Sequence, residues 1–169
     1  MDAAALRTLQ APLKDKYRAE PDAAVITLRA QGTLDDQHIA CKVETGRALA
    51  VAGLHPATGG SGAELCSGDM LLEALVACAG VTLKAVATAL EIPLRHGTVR
   101  AEGDLDFRGT LGVDKAAPVG FRAIRLSFEV DADAPKEKLD QLLKLTERYC
   151  VVFQTLANKP ELTVEARQR

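Results

Sequence analysis

At 169 residues the chain suits one domain, and a composition that is 47% hydrophobic supplies enough apolar material to bury a core. Aromatic residues make up only 4% and Trp is absent, so that core is expected to be aliphatic, built of Ala, Val and Leu. Lys plus Arg number 21 against 23 Asp plus Glu, a net charge of -2 without any basic run of the kind a phosphate backbone requires, which excludes nucleic acid as a partner.

Met1 to Arg7 lack the basic start and the uninterrupted apolar run of a secretory signal. The longest apolar stretch, Ala74 to Leu83, is about half of what a bilayer crossing takes, and Lys84 ends it. These features predict a cytoplasmic protein that does not span a membrane, in which four cysteines do not form a disulfide scaffold.

In chain order, residues 1–21 are charged and mixed, with Pro12 and Pro21 as breaks, and predict a peripheral arm of one or two helical turns ahead of a single domain over 22–169. Val25–Leu28, Ile39–Val43 and Ala48–Val51 predict a three-stranded meander, broken at Gly32, Asp35-Asp36 and Thr45-Gly46. Leu54 to Gly62 reads as a flexible connection, since its glycines are not followed by the Lys-Ser/Thr of a phosphate cradle.

Ser67 predicts a helix cap and Asp69 suits the positive first turn of a helix running to Leu90, apolar on almost every face and therefore expected to be buried on most sides. Gly97–Phe107 and Ala123–Val130 alternate as half-buried strands of one antiparallel sheet. Pro135 opens an amphipathic helix to about Arg148, a shorter helix follows Tyr149 and stops near Asn158, and Leu162–Ala166 reads as a closing strand. Strand runs and helix runs are partly segregated, so the fold class is α+β.

His38, His55 and His96 have no partner at a metal-ligand spacing, and neither a G-x-S-x-G elbow nor a carboxylate pair set for glycoside work occurs, so no metal or cofactor is expected. Cysteine carries the remaining chemistry. A helix N-terminus favours the thiolate and apolar burial opposes it, a rule that points to Cys66 and Cys150 as activated and to Cys78, mid-helix, as a small core residue. Cys41 reads as structural. Cys66 and Cys78 are about 18 Å apart along one helix and cannot pair, while Cys150 is free to approach either.

The stretch from Ser67 to Leu83, with Cys78 among small residues, resembles the central-helix motif of the OsmC/Ohr family of osmotically inducible and organic hydroperoxide resistance proteins. Cys150-Val151-Val152-Phe153-Gln154-Thr155-Leu156 resembles that family's second Cys motif, and the element order fits over about 23–167. The resemblance implies an OsmC-like fold with antiparallel sheets around a long buried helix, in an intertwined homodimer. It further implies a peroxidase in which Cys78 attacks an organic hydroperoxide, Cys150 resolves the product as a Cys78–Cys150 disulfide, and a dithiol reductant of the dihydrolipoyl type restores it.

Two departures accompany the resemblance. Where the family carries a Glu near the start of the helix, ten residues before Cys78, this chain has Gly68 with Asp69 beside it, and Val151 stands where a Pro often follows the second Cys. Arg29 is the candidate for the family's activating Arg and Asp69 for the carboxylate. An apolar lining of Met70, Leu71, Leu75, Val152 and Phe153 would favour substrates with a hydrocarbon tail. The alternative is a non-peroxidase relative binding a small apolar ligand at the dimer cleft. An acyl-transfer enzyme ranks last, since no His is placed beside a Cys as its base.

Overall fold

A computed structural model of the chain describes residues 2–19, 31–34, 40–44, 49–112 and 114–168. Asp2 caps the first helix, α1 (Ala3–Ala19), by accepting from the Ala5 amide at 2.8 Å. The arm is thus a 17-residue helix that continues through Pro12 rather than one or two turns that stop there. Proline removes one amide and one helical bond; here α1 lies against a second helix, and that packing supports it through the lost bond.

Three strands follow, β1 (Gln31–Leu34), β2 (Ala40–Glu44) and β3 (Leu49–Gly53), joined antiparallel with Leu34 opposite Cys41 and Cys41 opposite Ala52. The meander matches expectation for its second and third strands. The first was expected at 25–28, which lies outside the described residues, and β1 runs through Gly32, read from the sequence as a break. The connection after β3 is ordered rather than loose: a single 3-10 turn at Pro56–Thr58 is capped by His55, and β4 (Leu65–Cys66) returns to pair parallel with β3.

β4 delivers the chain into α2 (Ser67–Ala89), whose cap is Cys66 rather than Ser67. Its far end closes with Glu91 in the left-handed region at φ 56°, where the Glu91 amide donates to the Thr88 carbonyl at 3.2 Å and the Ile92 amide to the Ala87 carbonyl at 2.9 Å. That turn directs the chain into β5 (Leu94–Leu105), which passes through a short helix, α3 (Phe107–Thr110), and pairs antiparallel with β6 (Phe121–Ala132). Val99 faces Phe128 across the pair, and Ala101 faces Leu126. These inward residues cover α2, while Arg100–Glu129, Arg125–Asp104 and Arg95–Asp131 pair on the outer face.

α4 (Lys136–Tyr149) lays Leu142 against Leu83, Ala87 and Ile92, and α5 (Val151–Ala157) follows after the single residue Cys150. The core runs as one stripe along α2: Leu75, Ala79, Leu83 and Ala87, four residues apart. Within a single chain this is narrower than the burial on most sides expected of α2. Two strands and two helices of one chain cover one face of it, and Val81 remains 72% exposed. By length and mean hydropathy, 1.8 over its most apolar window, α2 would suffice to cross a bilayer, but its stripe is packed as the core of the fold.

Leu162–Ala166 is not a strand. The chain after α5 is irregular, with Val164 95% exposed, and pairs with none of the described strands. Among the described residues the outcome is an α+β architecture with one four-stranded and one two-stranded sheet.

Candidate active site

Cys78 sits halfway along α2, one residue before the buried Ala79, and faces the junction of α4 and α5. Cys150, fully buried, ends α4 and caps α5, so the two helices bring its thiol to Cys78 within hydrogen-bonding reach. Around the pair lie Leu75, Val99, Ala101, Ile124, Leu126, Val152 and Phe153. Both thiols are free.

Burial works against ionising Cys78, but hydrogen bonds from the Val152 amide, the Cys150 thiol and the Val151 amide outweigh it and hold the Cys78 thiol below its ordinary value. Thr82 adds least: its one hydroxyl proton already goes to the Cys78 carbonyl at 2.8 Å. Cys150 moves the other way, pushed up first by burial and then by the neighbouring Cys78 sulfur, against the Phe153 and Val152 amides that favour its ionised form. The two neighbouring thiols are thus pushed in opposite directions, Cys78 down and Cys150 up.

This reverses the ranking drawn from helix position, which favoured Cys150 and left Cys78 inert. The amides that open α5 are directed partly onto the neighbouring thiol, and full burial of Cys150 overrides its place at a helix start. What the sequence left open, which thiol Cys150 approaches, the fold decides in favour of Cys78.

The other candidates are distributed elsewhere. Asp69 lies in the first turn of α2, nine residues or about 13 Å of helix from Cys78. Arg29 lies outside the described residues, while Cys41 occupies β2. Of the expected apolar lining, Leu75, Val152 and Phe153 pack around the cysteine pair, whereas Leu71 belongs to a different cleft.

That cleft, a cavity of about 380 Å³, opens at the start of α2 between Leu54, Leu71, Phe107, Val119 and Phe121, with Cys66 and His55 on its wall. Asp69 lines an adjoining hollow with Cys66 and Asp104. His55 is held there twice. Its Nδ1 accepts from the Ala57 amide at 3.0 Å, and its ring stacks on Phe107 with centroids 4.9 Å apart at 20°. In the neutral ring the proton is then on Nε2. Phe121 closes the floor over Gly103, where any β-carbon would collide with the ring. Nothing in the sequence spacing joins His55 to Phe107, so this cleft was not foreseen; the one available signal was Cys66 just ahead of the helix. Among the described residues no group of three or more His, Cys, Asp or Glu side chains is arranged to hold a metal ion.

A family profile described as OsmC-like protein matches residues 60–165. No curated protein matches the chain. Among solved structures, the chain is similar to an OsmC-like protein from Mycoplasma pneumoniae, with a TM-score of 0.65 and 16% identity over 79% of this chain and 89% of that one. It is also similar to an organic hydroperoxide resistance protein OsmC from Legionella pneumophila, with a TM-score of 0.61 and 16% identity over 80% and 92% of the two chains. A third, the organic hydroperoxide resistance protein OhrB of Bacillus subtilis, gives a TM-score of 0.52 and 18% identity over 78% and 93%. At these identities the likeness is one of fold.

Proposed function

The chain belongs to the OsmC-like protein family, and from that premise we propose that it is a thiol peroxidase that reduces organic hydroperoxides through Cys78 and Cys150. One observation carries the reading: two free thiols in hydrogen-bonding reach, the first held below its ordinary value and the second above it. That is the division of labour a two-cysteine peroxidase requires. The descriptions of two structures of similar fold, which name organic hydroperoxide resistance, add support.

In the first step the Cys78 thiolate attacks one oxygen of the O–O bond; the bond breaks, the alkoxide takes a proton and leaves as an alcohol, and sulfur becomes a sulfenic acid. In the second, the Cys150 sulfur attacks that sulfenic sulfur, a Cys78–Cys150 disulfide forms, and water leaves. A dithiol such as a dihydrolipoyl group then reduces the disulfide by exchange, ending as a disulfide itself. The apolar surroundings of the pair favour hydroperoxides with a hydrocarbon tail. The reading includes a homodimer and a reducing compartment, the cytoplasm.

The test is consumption of tert-butyl hydroperoxide by the reduced protein beside Cys78→Ser, Cys150→Ser and Cys66→Ser. The expected pattern is no consumption by Cys78→Ser, a single turnover ending in overoxidised Cys78 for Cys150→Ser, and near-normal turnover for Cys66→Ser. No consumption by the unaltered protein would sink the peroxidase reading. It would favour the binding of a small apolar molecule, for which the 380 Å³ cavity beside Cys66 and His55 is the candidate.

A further inference from the structure

Leu54, Leu71 and Val119 come from the connection after β3, from α2 and from the connection into β6, and the fold leaves all three partly bare. They meet around one cavity, the cleft of about 380 Å³ at the start of α2, with Phe107 and Phe121 completing its apolar wall. Apolar residues scattered singly over a surface need no explanation, whereas a group of them around one hollow of this size is a setting for an apolar ligand. Gly68 helps to keep the space open. A β-carbon there would stand 3.5 Å from Leu105 Cδ1 and 3.6 Å from both Cys66 Sγ and Phe121 Cζ, so glycine leaves to the cleft the volume that a side chain would take.

One polar group in this wall is fixed from several sides. The His55 carbonyl accepts the Thr58 amide and the Thr58 hydroxyl, each at 2.8 Å, and the Gly60 amide at 3.2 Å. Its Nδ1 accepts the Ala57 amide at 3.0 Å, and one ring face stacks on Phe107. The proton of the neutral ring is therefore on Nε2, and among the described residues no acceptor takes it. His55 lines both the cleft and the adjoining hollow, so a ring locked in place offers one donor to a space walled mainly by carbon.

The charges nearby select against an anion. Asp69 and Asp104 line the adjoining hollow, and the neighbouring cations are committed: Arg125 to Asp104, and Arg108 and Arg122 to Asp106. A carboxylate ligand would meet carboxylates there and no free cation among the described residues.

We propose that this cleft binds a small neutral molecule with an aromatic or branched aliphatic body and one carbonyl oxygen, the body lying between Leu71, Phe107, Val119 and Phe121 and the oxygen accepting from His55 Nε2. A donor that is already fixed loses little freedom on being bonded, and a hydrocarbon of the same shape would leave that N–H unmet. Cys66, on the cleft wall, is about 18 Å of helix from Cys78, and the assignment does not rest on the peroxidase reading.

The test is titration of the full, 15N-labelled chain with acetophenone, with ethylbenzene, which has the same body without the oxygen, and with benzoate, followed by amide nuclear magnetic resonance. Acetophenone is expected to shift the signals of His55, Gly68 and Phe121 and to bind about fivefold more tightly than ethylbenzene, the worth of one hydrogen bond. Benzoate is expected to shift none of them. His55→Asn, whose side-chain oxygen can keep the Ala57 bond, is expected to bind acetophenone and ethylbenzene equally. Gly68→Leu fills the cleft from a helical position that leucine suits better than glycine, and is expected to bind neither.

No shift at these residues up to the solubility of acetophenone, as when a second copy fills the cleft, overturns the site, and so do shifts that Gly68→Leu leaves undiminished. Equal affinity of the unaltered chain for acetophenone and ethylbenzene, or a preference that survives in His55→Asn, overturns the role of His55, and binding of benzoate in the cleft overturns the neutral class. Should Gly68→Leu not fold, nuclear Overhauser effects from acetophenone to the Phe107 and Phe121 rings of the unaltered chain decide, their presence supporting the site and their absence overturning it. No peroxide enters the measurement, so its failure leaves the peroxidase reading untouched, and failure of that reading leaves this one standing.

Discussion

Cys78 and Cys150 share one apolar cluster, yet their thiols are pushed apart, because two sulfurs in hydrogen-bonding reach cannot both be anions and the amides that open α5 are not divided equally between them. The resemblance named Cys78 as the attacking thiol, whereas helix position taken alone favoured Cys66 and Cys150, since a helix start is visible in a sequence and the direction of its amides is not. Asp106 shows the same kind of local control at the edge of the Cys66 cleft. Its carboxylate caps α3, accepting from the Arg108 amide at 3.2 Å, and the Arg108 side chain, bonded at 2.6 Å, is the main reason its pKa is lowered to about 2. An acid held below its unfolded value, about 4, contributes stability that is fully present above that value and is lost as pH falls through the folded one. Asp106→Asn keeps a cap but not the charge. Its urea midpoint is expected to lie below that of the unaltered protein at pH 7, with the gap narrowing steadily as pH is lowered from about 5 toward 2. A gap independent of pH would show that the carboxylate charge contributes nothing to the fold.

The elements most legible in the sequence are those with an uninterrupted period. β5 from Val99 to Leu105 and β6 from Ile124 to Ala132 alternate inward and outward residues, and α4 carries its leucines at helical spacing, so their extents were foreseen to within a few residues. The parts that escaped have no period to read. α3 is four residues long, β4 is two, and the tail after α5 has strand-forming residues without a strand beside it. α1 escaped because proline outweighs its helical neighbours in any local reading, and α2 was expected to be covered on more sides than one chain covers. The turn that ends α2 carries its own test. Glu91 holds φ 56°, a conformation that glycine adopts freely and a β-carbon opposes, and the Arg7 ion pair that would be lost with it spans 3.7 Å between mostly exposed groups. Glu91→Gly is expected to stabilise the protein by about 0.5–1 kcal/mol, read from the urea midpoint at constant slope. A loss of stability would mean that the contact with α1 matters more than the strain.

On the scale of the whole molecule, the unevenness of α2 bears on assembly. A helix apolar on almost every face has buried Leu75, Ala79, Leu83 and Ala87 and left Val81, three residues on from Cys78, 72% exposed, while Val151, next to Cys150, is exposed as well. Apolar side chains bare on both sides of a redox pair are what a second copy would cover, so the homodimer proposed above predicts that these residues lie in its contact and that the peroxide reaches Cys78 between the two copies. Val81→Asp places a charge on that face without touching the buried stripe. Sedimentation velocity is expected to find a dimer for the unaltered protein and a monomer for Val81→Asp, with circular dichroism unchanged and peroxide turnover reduced in proportion to the monomer formed. A monomer in both would mean that the face serves another partner and that the site is complete within one chain; a dimer in both would place the contact elsewhere on the molecule.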